Sequence, residues 1–243
     1  MKKYREINEK ISEYIVSYDK EVKELLTLAR DNNQKLYRMD WEPNQNIRKK
    51  MYDIATFQTA EYVMKHMMKV KAFNYPLDIL TYAIEQVTLN DGLYLEFGVY
   101  SGRTINHIAS YVPDKIIYGF DSFEGLPETW RSGYEEGTFA VTTLPEVKDN
   151  VKLIVGLFED KLHSFKVEYS NACAFIHIDC DLYSSTAYVL EELEEQIQEG
   201  TIIVFDEYFN YPGWQDGEYK AFQEFVKKYQ IKYEYIAYVE ILE

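Results

Sequence analysis

The sequence predicts an α/β fold: a mostly parallel sheet with helices on both faces, preceded by a helical segment. Three observations carry this. From Leu93 onward, short and nearly continuous apolar runs alternate with amphipathic helical stretches, the pattern of strands buried on both faces. Ahead of about residue 90, apolar residues recur at spacings of three or four. Hydrophobic residues make up 47% of 243, enough for the core of one domain with an accessory segment.

The elements follow in order. Ile7, Ile11, Ile15, Tyr18, Val22, Leu25 and Ala29 form one apolar stripe, with Glu6, Glu9, Lys10, Glu13, Lys20 and Glu21 on the other faces. Asp40 to Asn46 contains a proline and breaks the pattern, and a second helix runs from about Ile47 to Val70. A third opens at Pro76, a residue suited to a first helical position, and stops at Asn90-Asp91-Gly92. The expected strands are then Leu93–Phe97, Ile116–Phe120, Val151–Val155, Ala174–Ile178 and Thr201–Phe205. The expected helices between and after them are Arg103–Tyr111, Glu159–Phe165, Ser184–Gln198 and Glu218–Tyr229. Two short strands, Lys232–Ile236 and Tyr238–Leu242, close the chain.

Charge excludes several function classes. With 26 Lys and Arg against 41 Asp and Glu, the formal charge is −15, which repels nucleic acids and acidic membranes. No apolar run approaches the roughly 20 residues of a membrane helix. Lys2, Lys3 and Arg5 are followed by a charged helical stretch and not by the apolar core of a secretory signal, so a cytoplasmic protein is expected. Cys173 and Cys180 give neither zinc spacing nor a disulfide framework, and on one straight strand they would face opposite sides.

Ligands of open parallel sheets bind beyond the carboxyl ends of the strands. After the first long strand comes Glu96-Phe97-Gly98-Val99-Tyr100-Ser101-Gly102, whose glycines permit a tight turn and a close backbone approach. Glu96 suits an ammonium group, Thr104 suits a carboxylate, and the helix that follows offers free N–H groups. Asp121-Ser122 ends the next strand, where an acid either accepts from ribose hydroxyls or caps a helix. Asp179-Cys180-Asp181 and Asp206-Glu207 end two further strands. Their carboxylates repel unless something cationic sits among them, and Asp179, Asp206 and Glu207 offer oxygens to a hard cation such as Mg²⁺. The alternative is capping, with Asp181 capping the helix after it. His177 reads as a core histidine. Two long loops, 122–150 and 208–216, lie at the same edge, where Trp130 and Trp214 either roof a site or pin the loops.

Leu95 to Gly102, Phe120-Asp121-Ser122-Phe123-Glu124-Gly125-Leu126-Pro127, Ile176 to Thr186 and Phe205-Asp206-Glu207-Tyr208 resemble class I S-adenosylmethionine-dependent methyltransferases, specifically the macrocin O-methyltransferase (TylF-like) family. The resemblance covers about residues 72–243. It implies a Rossmann-like, mostly parallel seven-stranded sheet with the last strand antiparallel. Residues 1–72 would then be a helical lid or dimerisation segment, and 73–243 the methyltransferase domain. It implies that Glu96, Gly98 and Thr104 hold the methionine end of S-adenosylmethionine, that Tyr100, Ser101 and Gly102 also bind the cofactor, and that Asp121 and Ser122 lie at the ribose. Gly156, Leu157 and Phe158 would lie at the adenine, and Asp179 would line the cofactor site. Asp179, Asp206 and Glu207 would hold Mg²⁺ or another divalent cation. Glu207 departs from the Asp or Asn common at that position. Catechol-type relatives carry a lysine base where Leu182 and Tyr183 stand here.

The function expected is divalent-metal-dependent methyl transfer to a hydroxyl of a small molecule, a sugar or glycosylated natural product or surface-polysaccharide precursor. Asp179 is the expected proton acceptor, and a homo-oligomer, a dimer or higher, is the expected assembly. The rivals are a catechol-like aromatic O-methyltransferase and a non-catalytic binding module of the same fold.

Overall fold

The computed structural model describes residues 22–32 and 45–240, together with Lys10, Ser17 and Lys20. The chain divides into two compact units, Met1–Ile54 and Ala55–Glu243. In the first, residues 22–32 are helical, and Leu25, Leu26 and Leu28 are exposed. Ile7, Ile11, Ile15 and Tyr18 of the apolar stripe lie outside the described residues.

In chain order the elements are α1 (Ile47–His66), β1 (Lys71–Phe73), α2 (Pro76–Glu85), β2 (Leu93–Phe97), α3 (Arg103–Tyr111), β3 (Ile117–Asp121), β4 (Val151–Val155), α4 (Phe158–Glu168), β5 (Cys173–Ile178), α5 (Tyr183–Glu192), β6 (Ile202–Phe205), α6 (Glu218–Tyr229) and β7 (Ala237–Val239). The main sheet is five-stranded with order β4-β3-β2-β5-β6, and every pairing in it is parallel.

Strand pleating decides which residues face which helices. Leu95, Phe97, Phe120, Ile176 and Ile178 point to one side, against Leu162, Phe165, Val189, Leu190, Phe222 and Phe225 of α4, α5 and α6. Tyr94, Ile117 and Phe175 point to the other, against Leu80, Ala83, Ile84, Ile105 and Ile108 of α2 and α3. Two filled faces explain why the strands read as continuous apolar runs. Glu96 shares the second face, opposite Gly119 on one neighbour and His177 on the other.

Two expectations are corrected. Cys173 and Cys180 do not face opposite sides; both lie in the core beneath α4, α5 and α6. The cause is a register shift in β5: Leu93 pairs Cys173 but Tyr94 pairs Phe175, and the extra residue inverts the alternation. Seven strands exist among the described residues, but they form two sheets. The last, β7, pairs in parallel with β1, a strand that the sequence reading did not anticipate. Residues 232–236 are not a strand. Their alternating tyrosines belong to a hydroxyl cluster instead: the Tyr235 hydroxyl lies 2.5 Å from that of Tyr62 and 2.6 Å from that of Tyr208.

One glycine sets how closely the strand tips meet. Gly98 has φ +90°, and a Cβ there would come within 1.9 Å of the Asp179 carbonyl oxygen. Gly98→Ala is therefore expected to destabilise the fold by at least about 2 kcal/mol, from overpacking added to left-handed strain. The check is the urea midpoint at unchanged slope; an unshifted midpoint contradicts the close approach.

Candidate functional site

The sheet's hydrogen-bond ladder runs past the strand ends and registers the tips against one another. Gly98 N–H donates to the Phe120 carbonyl, Asp179 N–H to the Phe97 carbonyl and Asp206 N–H to the Ile178 carbonyl, each at 2.9 Å. The residues after β2, β3, β5 and β6 are thus gathered at one edge, where the sequence placed its candidate site.

The turn after β2 is held by Asp121. One of its oxygens accepts from the backbone N–H groups of Val99 and Tyr100, at 2.8 and 2.7 Å, and the other accepts from Phe123 N–H at 2.6 Å. Tyr100 takes φ +45° within this turn and is half exposed. Ser101 follows it, and Gly102, with φ +79°, precedes the first turn of α3. Ser122 accepts from Glu124 N–H at 3.1 Å. Past β4, Gly156 (φ +138°) donates its N–H to the Asp121 carbonyl; Leu157 is exposed, and Phe158 meets the Phe97 ring edge-on at 5.4 Å. The residues expected at the two ends of S-adenosylmethionine therefore border one continuous edge.

Glu96 and Thr104 differ from expectation in what they offer. Glu96 is fully buried: one oxygen accepts from the Thr104 hydroxyl at 2.9 Å, and the other lies 3.1 Å from His177 Nδ1. Both side chains brace the wall of the site from behind. Burial pushes the Glu96 carboxyl up against the opposing pull of His177. Burial pulls the His177 imidazole down, but its hydrogen bond to Glu96 and their mutual attraction leave it raised.

The acids beyond β5 and β6 crowd together. Burial pushes Asp179 well above the usual carboxylate range, and Asp206, Asp181, Glu96 and Glu207 add like-charge repulsion. Burial lifts Asp181 to about 7, with Asp206 adding to the rise and Arg131 opposing it. Glu207 is lifted to about 7 by burial, Asp206 and Asp181, again opposed by Arg131. Asp181 does not cap α5: Leu182 occupies the N-cap, no side chain bonds there, and Asp181 itself sits at φ +62°.

Three residues at the site escaped the sequence reading. Glu218, the first residue of α6, is fully buried and accepts from Cys180 N–H at 3.2 Å and Glu207 N–H at 3.1 Å, clamping the two acid-bearing tips together. It reads in sequence as an ordinary first-turn helix acid. Arg131 lies with its guanidinium 3.9 Å over the Trp130 ring and within 4.7 and 5.1 Å of Tyr134 and Tyr211. Its Nε and Nη1 are buried without partners, as are Glu207 Oε2, the Tyr211 hydroxyl and Trp214 Nε1. Tyr211 supplies a wall of this box. The long loops thus carry an aromatic roof with unsatisfied donors and acceptors, the lining expected of a site for a polar ligand.

A divalent ion fits this set by two structural tests: the carboxylates have no adequate counter-charge, and a Glu207 oxygen is orphaned. Among the described residues, the group whose donor atoms lie within 4.8 Å of one another is His177, Asp179 and Asp206. Glu207 is not in it.

Comparison with known proteins agrees with this geometry. Residues 95–208 match the family described as a methyltransferase domain. The chain is 25% identical over 173 residues to a demethyldecarbamoylnovobiocin O-methyltransferase of Streptomyces niveus, covering 60% of this chain and 65% of that protein. It is 28% identical over 160 residues to 8-demethyl-8-(2,3-dimethoxy-alpha-L-rhamnosyl)-tetracenomycin-C 4'-O-methyltransferase of Streptomyces olivaceus, covering 54% of this chain and 59% of that one. The chain thus spans less than two thirds of these curated relatives. Among solved structures, CalS11, a calicheamicin methyltransferase, aligns with TM-score 0.52 at 26% identity, over 61% of this chain and 69% of CalS11. The O-methyltransferase NovP aligns with TM-score 0.53 at 22% identity, over 66% and 75% of the two chains. The fold is that of Rossmann-like methyltransferases.

The acids generate a pH signature. Asp181 and Glu207 titrate higher in the fold than in the unfolded chain, so the folded state binds more protons, and stability falls as pH rises from the ordinary carboxyl range to about 7. The metal-free protein is expected to melt at a higher temperature at about pH 5 than at about pH 8, and added Mn²⁺ or Mg²⁺ to raise the latter value. Differential scanning fluorimetry checks this; equal melting temperatures at the two pH values contradict it.

Proposed function

We propose that this protein is an S-adenosylmethionine-dependent O-methyltransferase whose acceptor is a hydroxyl of a sugar or glycosylated small molecule, and that turnover needs a divalent cation. The observation that carries the reading is the meeting of a glycine turn at Gly98 with the Asp179 tip inside an acid-rich, aromatic-roofed edge. The named activities of the relatives, all O-methyltransferases in the curated set, add to it.

The proposed division of labour follows from burial and bonding. Glu96 and Thr104 hold the wall behind the methionine end, Gly98 to Gly102 present backbone to it, and Asp121 and Ser122 stand at the ribose, with Gly156, Leu157 and Phe158 beside the adenine. When bound, the donor supplies an electrophilic methyl group, and a divalent ion supplies the Lewis acidity that lowers an acceptor hydroxyl's pKa. Asp181 takes the proton of that hydroxyl, in place of Asp179 as first expected. A carboxylate lifted to about 7 is matched to proton transfer near neutrality, and its backbone is fixed by the turn. The loop carrying Trp130 and Arg131 and the loop carrying Tyr211 and Trp214 exclude water and orient the acceptor. Residues 1–72 act as a lid or dimerisation segment ahead of the catalytic part, residues 73–243. No helix among the described residues is long and apolar enough to cross a membrane.

The test is transfer of radiolabelled methyl from S-adenosylmethionine to panels of sugars, glycosides and catechols, with and without EDTA. Transfer to a sugar hydroxyl that EDTA abolishes is the expected result. Asp181→Asn is expected to lower kcat by about 10²- to 10⁴-fold, the worth of a positioned base, with S-adenosylhomocysteine binding retained. Full turnover in EDTA, or in Asp181→Asn, contradicts the corresponding part.

A further inference from the structure

We propose that His177 is a direct metal ligand, so that the site is His177, Asp179 and Asp206 and prefers Mn²⁺ or Fe²⁺ over Mg²⁺. This rests on the metal-dependent reading above and changes its ligand set. The all-oxygen set of Asp179, Asp206 and Glu207 suits Mg²⁺. The donor atoms that converge in the fold are different: those of His177, Asp179 and Asp206, within 4.8 Å of one another.

The imidazole is oriented as a ligand would be. His177 is 1% exposed on β5, two residues before Asp179 and on its side of the pleat. Its Nδ1 lies 3.1 Å from Glu96 Oε2, and the other Glu96 oxygen is occupied by the Thr104 hydroxyl. In the tautomer whose Nδ1–H donates to Glu96 Oε2, the Nε2 lone pair is the one left to a metal ion. A carboxylate, an imidazole held by it, and free nitrogen beside further carboxylates is the arrangement by which proteins fix the tautomer of metal-binding histidines. Thr104–Glu96–His177 thus forms an ordered relay behind the site. Asp206 is exposed, so the group opens to solvent on that side, where an acceptor could enter.

Imidazole nitrogen beside two carboxylates favours first-row transition ions, which bind nitrogen more strongly than Mg²⁺ does. The signal was weak in sequence because a lone histidine on a buried strand has the pattern of a core residue. Only the register that sets Glu96 opposite His177 separates the two.

The experiment uses the full chain with S-adenosylhomocysteine and Mn²⁺ as the probe. Calorimetric titration is expected to show Mn²⁺ bound about tenfold or more tightly than Mg²⁺. Pulsed EPR of the Mn²⁺-loaded protein is expected to show imidazole-nitrogen modulation. His177→Gln, which keeps an amide to meet Glu96, is expected to lose the modulation and at least the roughly 10-fold in Mn²⁺ affinity that even an outer partner is worth. The wild-type spectrum decides the matter if the variant does not fold. Mn²⁺ binding without nitrogen modulation overturns this inference and leaves an all-oxygen metal site standing. Failure of Mn²⁺ to bind, with methyl transfer undiminished in EDTA, overturns the metal reading itself.

Discussion

Repulsion among crowded carboxylates is the constraint on which the rest of this structure depends. Glu96, Asp179, Asp181, Asp206, Glu207 and Glu218 all act on one another at the carboxyl edge of the sheet. An apolar cluster there would cost the fold nothing. Glu96 and Glu218 are instead anchored by donors, and Asp179, Asp181 and Glu207 are left with a raised affinity for protons. Glu96 has Thr104 and His177, and Glu218 has two backbone N–H groups. Asp179, Asp181 and Glu207 are the ones left wanting positive charge. A site that binds a sulfonium donor and a divalent ion supplies it, so the strain at the edge and the chemistry proposed there are two aspects of one arrangement.

The scaffold explains why the acids stay together. A five-stranded parallel sheet buried on both faces fixes the heights of its strand tips through backbone bonds, and those bonds continue one residue past β2 and β5. Gly98 then lets the β2 tip abut Asp179 with no side chain between them. The α6 helix contributes a buried acid at its start, so a third element ties the two acid-bearing tips together. The long loops hold Arg131 caged by Trp130, Tyr134 and Tyr211 with donors unspent.

Much of this was legible in the sequence because it depends on local patterns. The strand at Leu93–Phe97 and the helices at Arg103–Tyr111 and Glu218–Tyr229 were readable from periodicity and punctuation, and the strand-end acids from their position after apolar runs. What was not legible depends on pairings between distant segments. The register shift in β5 places both cysteines on one face, and nothing local to Cys173 announces it. Tyr233 and Tyr235 alternate as in a strand, yet the Tyr235 hydroxyl meets partners on α1 and beyond β6, and the Tyr233 hydroxyl meets Gln223 on α6. Glu218 looks like any first-turn acid until its two N–H donors are seen. His177 looks like core until Glu96 is found opposite it. Asp181 looked like a cap, but Leu182 occupies the N-cap of a helix that starts at Tyr183.

The claim at the centre is that this edge is a cofactor site completed by positive charge. Calorimetric titration of the purified protein with S-adenosylhomocysteine, in Mg²⁺ or Mn²⁺ and again in EDTA, tests it most directly. The account predicts saturable binding that is tighter when the cation is present. Absence of binding in every buffer would contradict it, and would leave the acids at the strand tips without the chemistry assigned to them.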